Sequence, residues 1–167
     1  EIKCVPAIKV PEAEYWKPSE HALIDALESI HVSPRKRKHM KIDITETGKR
    51  IKWYFKTDGD VYFGIFYQPF DAVNEDNNKH EKKEDKHIDT DTMEMVYPFF
   101  KLTAKIVHER DQMITEKPGR YYLVFCNQHS WLGKRNVEVC VHVGDGEEKR
   151  LHADGTLSTA QHKFDVD

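Results

Sequence analysis

The sequence predicts an all-β protein, an antiparallel sandwich of two sheets, and two observations support this prediction. Apolar and polar residues alternate along several short segments, and clusters of turn residues separate those segments. One apolar and one polar face on each strand is typical of an antiparallel sheet that packs on a second sheet. The length of 167 residues fits one domain with irregular extensions.

The alternation is clearest in five segments, and a sixth strand is expected from Met95–Phe100 onwards to Val107. The apolar positions of the five are Ile42 and Ile44; Ile51, Trp53 and Phe55; Val61, Phe63, Ile65 and Tyr67; Tyr121, Leu123 and Phe125; and Val137, Val139, Val141 and Val143. We expect these side chains to form the core and the residues between them to face solvent. Asp58-Gly59 predicts a hairpin turn between the second and third segments.

The sandwich is expected to occupy residues 27–143. Residues 1–26 form a lead-in punctuated by prolines, which fix φ and remove backbone donors. Near its end, the stretch from Ser19 to Leu27 fits either a short capped helix or a direct approach to a strand at Leu27–Val32.

Two further segments lack the alternating pattern. Residues 71–92 are rich in mixed charge and cannot bury apolar surface, which predicts a mobile insertion. Residues 144–167 show no sustained period, which predicts a weakly structured C-terminal tail.

Bulk composition excludes several classes of protein. A net charge of −3, from 26 basic and 29 acidic residues, gives no global field for nucleic acid. No apolar run has the length of a membrane span. Three cysteines without paired short spacing argue against a disulfide framework or zinc site and favour a reducing compartment, although one bridge between Cys126 and Cys140 stays open.

Two clusters could suggest chemistry. Asp58 and Asp60 could act as an acid–base pair or bind calcium, but a tight turn requires the same spacing. Cys126, His129 and Ser130 are close in sequence, whereas catalytic partners normally come from distant segments. The histidines show no metal-ligand spacing. We therefore expect no enzyme activity, no metal and no cofactor.

The candidate contact residues are the basic run Arg35, Lys36, Arg37 and Lys38, together with Trp131. Lysine and arginine near an anionic bilayer are attracted to its surface, so this run could touch lipid headgroups or a protein partner. It could also be a nuclear-localisation look-alike or a solvated hairpin tip. Four aromatic residues near turns could form a binding patch or simply pack: Tyr97, Phe99, Phe100 and Trp131.

Three motifs resemble the GOLD domain family. Residues 53–65 are similar to its W-x-F, Thr/Ser-Asp turn and F-G-I strand, and residues 117–125 to its P-G-x-Y-x-L-x-F strand. Residues 127–131 are similar to its N-x-x-S-aromatic turn, and the valine strand follows. The sequence departs from the family at Cys126, where Asp is common, and in a longer insertion between Phe70 and Met93.

The resemblance implies a jelly-roll-like β-sandwich and a non-catalytic module that binds a protein or a membrane. Val10–Tyr15 and Leu27–Val32 resemble the segment that joins CRAL-TRIO lipid-binding domains to GOLD domains in phosphatidylinositol-transfer-like proteins. The implied setting is a cytoplasmic lipid-transfer or membrane-trafficking protein, peripheral on Golgi or other endomembranes. Its implied partners are a trafficking protein or an anionic phospholipid surface. The alternative is the lumenal ectodomain of a cargo receptor in the early secretory pathway.

Overall fold

The computed structural model describes Pro11 and residues 27–73, 88–105 and 107–161. The alternatives for residues 19–26 and the mobile-loop prediction for residues 74–87 lie outside the described residues. Within the described ranges, no helix is long and apolar enough to cross a membrane.

The described residues form two antiparallel sheets, with 3₁₀ turns at Phe70–Ala72 and Thr90–Thr92. Sheet A contains β1 (Glu28–Val32), β3 (Arg50–Thr57), β6 (Glu109–Ile114), β8 (Arg135–Gly144), β9 (Lys149–Leu151) and β10 (Leu157–Thr159). Sheet B contains β2 (Arg37–Ile44), β4 (Val61–Gln68), β5 (Glu94–Leu102) and β7 (Gly119–Cys126).

The strand order is that of a jelly roll. The first eight strands pair in the orders β1-β8-β3-β6 and β2-β7-β4-β5, all antiparallel. Two four-stranded sheets connected in this way are the jelly-roll form of the sandwich. The predicted all-β, jelly-roll-like antiparallel sandwich is therefore confirmed.

The turn at Asp58-Gly59 is confirmed, but the predicted hairpin is wrong. β3 pairs with β6 and β8 in sheet A, whereas β4 pairs with β5 and β7 in sheet B. The turn therefore passes the chain from one sheet to the other. An Asp-Gly signal reports a tight change of direction, and it does not determine which strands pair afterwards.

The core between the sheets contains the apolar positions that the alternation predicted. Phe55, Phe63 and Phe125 are fully buried and contact one another with ring centroids 4.9–5.3 Å apart. Gly64 lies where the pairing of β4 with β5 shifts register, and a Cβ there would be 2.8 Å from the Cα of Phe99. A glycine at this position permits both the bulge and the close approach of the two strands.

The outer face of sheet A is buried where the sequence predicted solvent. Lys52, Tyr54 and His142 were expected on a polar face, yet all three are buried. Strict alternation of apolar and polar residues predicts a sheet that is buried on one face and exposed on the other. Sheet A is buried on its outer face as well, so the prediction fails there.

The C-terminal tail is not weakly structured within its described residues. β9 pairs with residues 141–143 of β8, on the same edge of β8 on which β1 pairs with residues 135–139. β10 in turn pairs with β9. Leu151 of β9 is buried in the core. The three-residue strands are too short to show a period, which explains why the sequence pattern missed them.

The sequence analysis did not predict strand β6. The sixth predicted strand was expected to continue to Val107, but β5 ends at Leu102 and a loop follows it. Residues 103–105 and 107–108 connect β5 to β6, and the carbonyl of Ala104 accepts a hydrogen bond from Thr57 N–H at 3.0 Å. The sequence of β6, Glu109–Ile114, is mostly polar. Polar edge strands give little hydrophobic signal.

Candidate functional site

One end of the sandwich gathers the predicted contact residues, and we call it the loop end. It consists of the β1–β2 turn (33–36), the β3–β4 turn (58–60), the β5–β6 loop and the β7–β8 loop (127–134). All four connections pass between the two sheets. The jelly-roll topology therefore brings together segments that are about a hundred residues apart in sequence.

The loop end brings together Arg35 and Trp131, two candidate contact residues that the sequence indicated separately. The Arg35 guanidinium lies over the indole ring of Trp131, 4.3 Å from its centroid. Trp131 is 76% exposed and its neighbour Leu132 is 97% exposed. A cation over an aromatic face, beside a free apolar side chain, forms an amphipathic surface that can contact another molecule.

Asn127 holds the two loops together. Its side-chain amide donates to the carbonyls of Val32 at 3.1 Å and Gly133 at 2.7 Å. Its main chain accepts from Arg35 N–H and donates to the Lys36 carbonyl, both at 3.0 Å. Asn127 makes these four hydrogen bonds with Cys126 before it, so the departure from the GOLD-like pattern at Cys126 does not prevent them.

The basic run does not form one patch. Arg35 and Lys36 are exposed in the turn, whereas Arg37 and Lys38 belong to β2, where successive side chains point to opposite faces. The Arg37 guanidinium donates to Thr90 Oγ1 at 2.9 Å and to Gln128 Oε1 at 3.0 Å. Arg37 therefore fixes neighbouring segments, and the freely exposed cations are those of the turn.

Two of the four candidate aromatics pack instead of projecting. Tyr97 contacts Trp53 edge to face at 4.8 Å and donates its hydroxyl to Asp111 at 2.9 Å. Phe99 packs against Tyr62 and Phe66. Phe100 is 40% exposed on the edge strand β5, and its ring lies 6.2 Å from that of Tyr97.

The acidic pair has structural partners. Asp58 accepts from the main-chain N–H of Asn136 at 3.1 Å. Asp60 pairs with Lys101 at 2.7 Å and accepts from Thr103 at 2.7 Å, and these bonds hold the pKa of Asp60 below its ordinary value. Within the described ranges, no group of three His, Cys, Asp or Glu side chains could hold a metal ion.

The suspected nucleophile cluster is not assembled. The His129 ring packs at a tilt against Tyr62 with centroids 4.8 Å apart, and Ser130 Oγ bonds to the main chain of Gly133. Cys126 is buried, and Gln128 lies 3.8 Å from its sulfur. These three side chains shape the loop and do not form a thiol–base pair.

A thiol, an imidazole and a carboxylate do line up elsewhere, on the outer face of sheet A. Cys140 Sγ lies 3.4 Å from His142 Nε2, and His142 Nδ1 lies 3.2 Å from Glu148. Glu148 also pairs with Lys52 at 2.6 Å. Both Cys140 and His142 are buried, so the sulfur has no access to a substrate. The two described cysteines, Cys126 and Cys140, lie on strands of different sheets, and no disulfide joins them to each other.

Sequence reasoning missed two residues of the loop end. Leu132 follows Trp131 between Ser130 and Gly133, and an apolar pair inside a polar turn was a signal that could have revealed it. Arg135 had no such signal, because its surroundings come from Gly59, which is distant in sequence.

The two sheets and their connections define a jelly-roll domain. Residues 14–152 match the family described as "F28H7_8_C:-like, C-terminal domain", and the chain belongs to this family.

A curated relative points in the same direction. The chain is 23% identical over 135 residues to the CRAL-TRIO domain-containing protein F28H7.8 of Caenorhabditis elegans, covering 79% of this chain and 29% of the relative. The chain thus spans less than a third of that relative's length. Together the two matches identify a C-terminal domain associated with CRAL-TRIO proteins.

Proposed function

We propose that this chain is a non-catalytic, GOLD-type interaction module of a lipid-transfer or membrane-trafficking protein, and that its loop end contacts anionic phospholipid membranes. The observation that carries the proposal is the exposed pair Trp131 and Leu132 beside the Arg35 guanidinium. Tryptophan and leucine favour the boundary between headgroups and acyl chains, and cations beside them are attracted to anionic headgroups.

Two further observations support this proposal. The C. elegans relative is described as a CRAL-TRIO domain-containing protein, and the resemblance of residues 10–15 and 27–32 implies a lipid-binding CRAL-TRIO domain in the same protein. Anionic lipids are enriched in cytoplasmic leaflets, and the absence of a disulfide between the described Cys126 and Cys140 fits a reducing compartment. The setting we propose is therefore the cytoplasmic face of Golgi or other endomembranes. A lumenal cargo-receptor ectodomain would be expected to carry a disulfide, so we do not favour it.

Co-sedimentation with vesicles tests the proposal. The chain is mixed with phosphatidylcholine vesicles, with or without phosphatidylserine, at low and physiological salt. We expect binding only to the anionic vesicles and weaker binding at the higher salt, because screening weakens exposed charge interactions.

Two double variants should reduce that binding: Trp131→Ala with Leu132→Ala, and Arg35→Gly with Lys36→Gln. Lys117→Gln is the matched control, because this exposed lysine lies in the β6–β7 turn at the opposite end of the sandwich. If the wild-type chain binds no vesicle, the membrane contact is wrong and a protein partner becomes the better candidate. If Lys117→Gln weakens vesicle binding as much as the loop-end variants do, the assignment of the membrane contact to the loop end is wrong.

A further inference from the structure

A polar groove lies beside the exposed Trp131. It has a volume of about 320 Å³ and opens between the β3–β4 turn and the β7–β8 loop. Its walls include the side chains of Lys101, Arg135, His129, Ser130, Tyr62 and Asp60. Ser130 belongs to the same loop as Trp131 and Leu132, so the groove adjoins the loop that carries the two exposed apolar residues.

Arg135 is held rigidly at this groove. Its Nε donates to the Asp60 carbonyl at 3.1 Å and its Nη1 to the Lys134 carbonyl at 3.2 Å. The guanidinium fits between two glycines: a Cβ at Gly59 would be 2.9 Å from Nε, and one at Gly133 would be 2.7 Å from Nη1. The chain therefore fixes the orientation of this guanidinium through main-chain contacts.

The charge of Arg135 is not neutralised by an ion pair. Among the described residues, no carboxylate lies within salt-bridge distance of its guanidinium, and both of its hydrogen bonds end on neutral carbonyls. The nearby Asp60 is engaged by Lys101 at 2.7 Å and by Thr103 at 2.7 Å. Asp60 attracts both Lys101 and Arg135, and these two cations with one carboxylate leave the groove with a net positive charge that can attract an anion.

A fixed guanidinium with donors still available suits a phosphate group, whose oxygens match the planar fork of arginine. We propose that the groove binds the phosphomonoester of an anionic phospholipid headgroup, such as that of phosphatidic acid, with Arg135 as its main ligand and Lys101 as a second cation. A phosphomonoester offers three acceptor oxygens and nearly two negative charges, more than a diester. This inference rests on the proposed membrane contact, which would deliver the headgroup to the groove.

The test compares vesicles of equal surface charge that contain phosphatidic acid or phosphatidylserine. The wild-type chain should bind the phosphatidic acid vesicles more tightly. Arg135→Lys keeps the charge but loses the fork, and it should weaken phosphatidic acid binding about tenfold while phosphatidylserine binding persists. Lys101→Gln should reduce the same preference for phosphatidic acid. Because Lys101 is an exposed side chain, its substitution should not disturb the loop, so this variant decides the test if Arg135→Lys alters the fold there. Lys117→Gln should leave the preference unchanged.

The outcomes separate this inference from the proposed function. Equal binding of the wild-type chain to both anionic vesicles overturns the phosphomonoester site and leaves the membrane contact intact. If no vesicle binds, calorimetric titration with soluble glycerol 1-phosphate decides: binding that Arg135→Lys abolishes keeps a phosphate site with a soluble ligand, and absence of binding overturns it. A preference for phosphatidic acid that survives in both Arg135→Lys and Lys101→Gln also overturns it.

Discussion

The loop end and the outer face of sheet A each hold a cationic side chain against another side chain, but the contact at the loop end is exposed and the one on sheet A is buried. At the loop end, Arg35 covers an indole ring that is itself largely exposed. On sheet A, the Lys52–Glu148 pair is buried, with side-chain exposures of 8% and 11%, and Glu148 also contacts His142.

This difference separates residues that stabilise the fold from residues available for binding. Breaking a buried ion pair leaves a charge in a medium that solvates it poorly, so its loss is costly. An exposed pair exchanges its contacts for water at little cost. We therefore expect substitutions on sheet A to alter folding and substitutions at the loop end to alter binding.

The largest effect is expected for Glu148→Ala. It removes the carboxylate that contacts both Lys52 and His142 and should lower the free energy of unfolding by about 3 kcal/mol in urea denaturation. The matched control is Asp145→Ala, which breaks the exposed pair with Lys49 and should leave the unfolding midpoint unchanged. Equal effects of the two variants would contradict the distinction between buried and exposed pairs.

The next effect is expected for Asn127→Ala, which removes the amide that joins the β1–β2 turn to the β7–β8 loop. Loss of two hydrogen bonds should cost about 2 kcal/mol in the same denaturation measurement. Gln128→Ala, which loses one exposed bond to Arg37, serves for comparison and should cost less. A similar loss in both variants would show that Asn127 does not hold the loop end together.

The buried network should also make stability depend on acid pH. Burial alone raises the pKa of Glu148, but hydrogen bonds from Lys52 and His142 outweigh it and hold the pKa below that of an ordinary glutamate. A lowered folded-state pKa stabilises the protein above the unfolded pKa, and this stability is lost as pH falls through the folded pKa. The stability gap between the wild-type chain and Glu148→Gln should therefore narrow towards acid pH in urea titrations. A constant gap from neutral to acid pH would argue against the pairing.

The smallest effect on stability is expected for Arg35→Gly. The backbone of Arg35 has a φ of 62°, a left-handed conformation that glycine adopts more readily than arginine. This gain, about 1 kcal/mol, should offset the loss of the cation–π contact, about 0.5–1 kcal/mol. Arg35→Ala loses the contact without the backbone gain and should be the less stable variant in thermal unfolding. If the alanine variant is the more stable, the strain at this turn is overestimated.

Much of the sandwich could be predicted from the sequence, because apolar and polar residues alternate strictly along its core strands. Trp53, Phe55 and Phe63 were expected in the core and are buried there. Strand pairing was harder to predict from the sequence, because the Asp58-Gly59 turn gives the same local signal whether the chain forms a hairpin or crosses to the other sheet. Polar or very short strands such as β6 and β9 bury few apolar side chains and gave no pattern to read.

The candidate site could be predicted only in part. Arg35 and Trp131 were identified separately from a basic run and an exposed aromatic, but their contact depends on the packing of distant loops. Arg37 belonged to the same run and instead bonds to Thr90 and Gln128. A charge cluster in sequence shows where cations are, whereas the strand geometry decides which of them remain exposed.

The fluorescence of Trp131 on anionic vesicles tests the central claim most directly. In a Trp16→Phe background the remaining tryptophans are Trp53, which is fully buried, and Trp131, which is largely exposed. We expect phosphatidylserine vesicles to shift the emission of Trp131 to shorter wavelength, and brominated acyl chains to quench it, because the indole leaves water for the bilayer interface. Adding Trp131→Phe should abolish both changes. Vesicle binding that leaves the emission and quenching of Trp131 unchanged would contradict a membrane contact through the loop end.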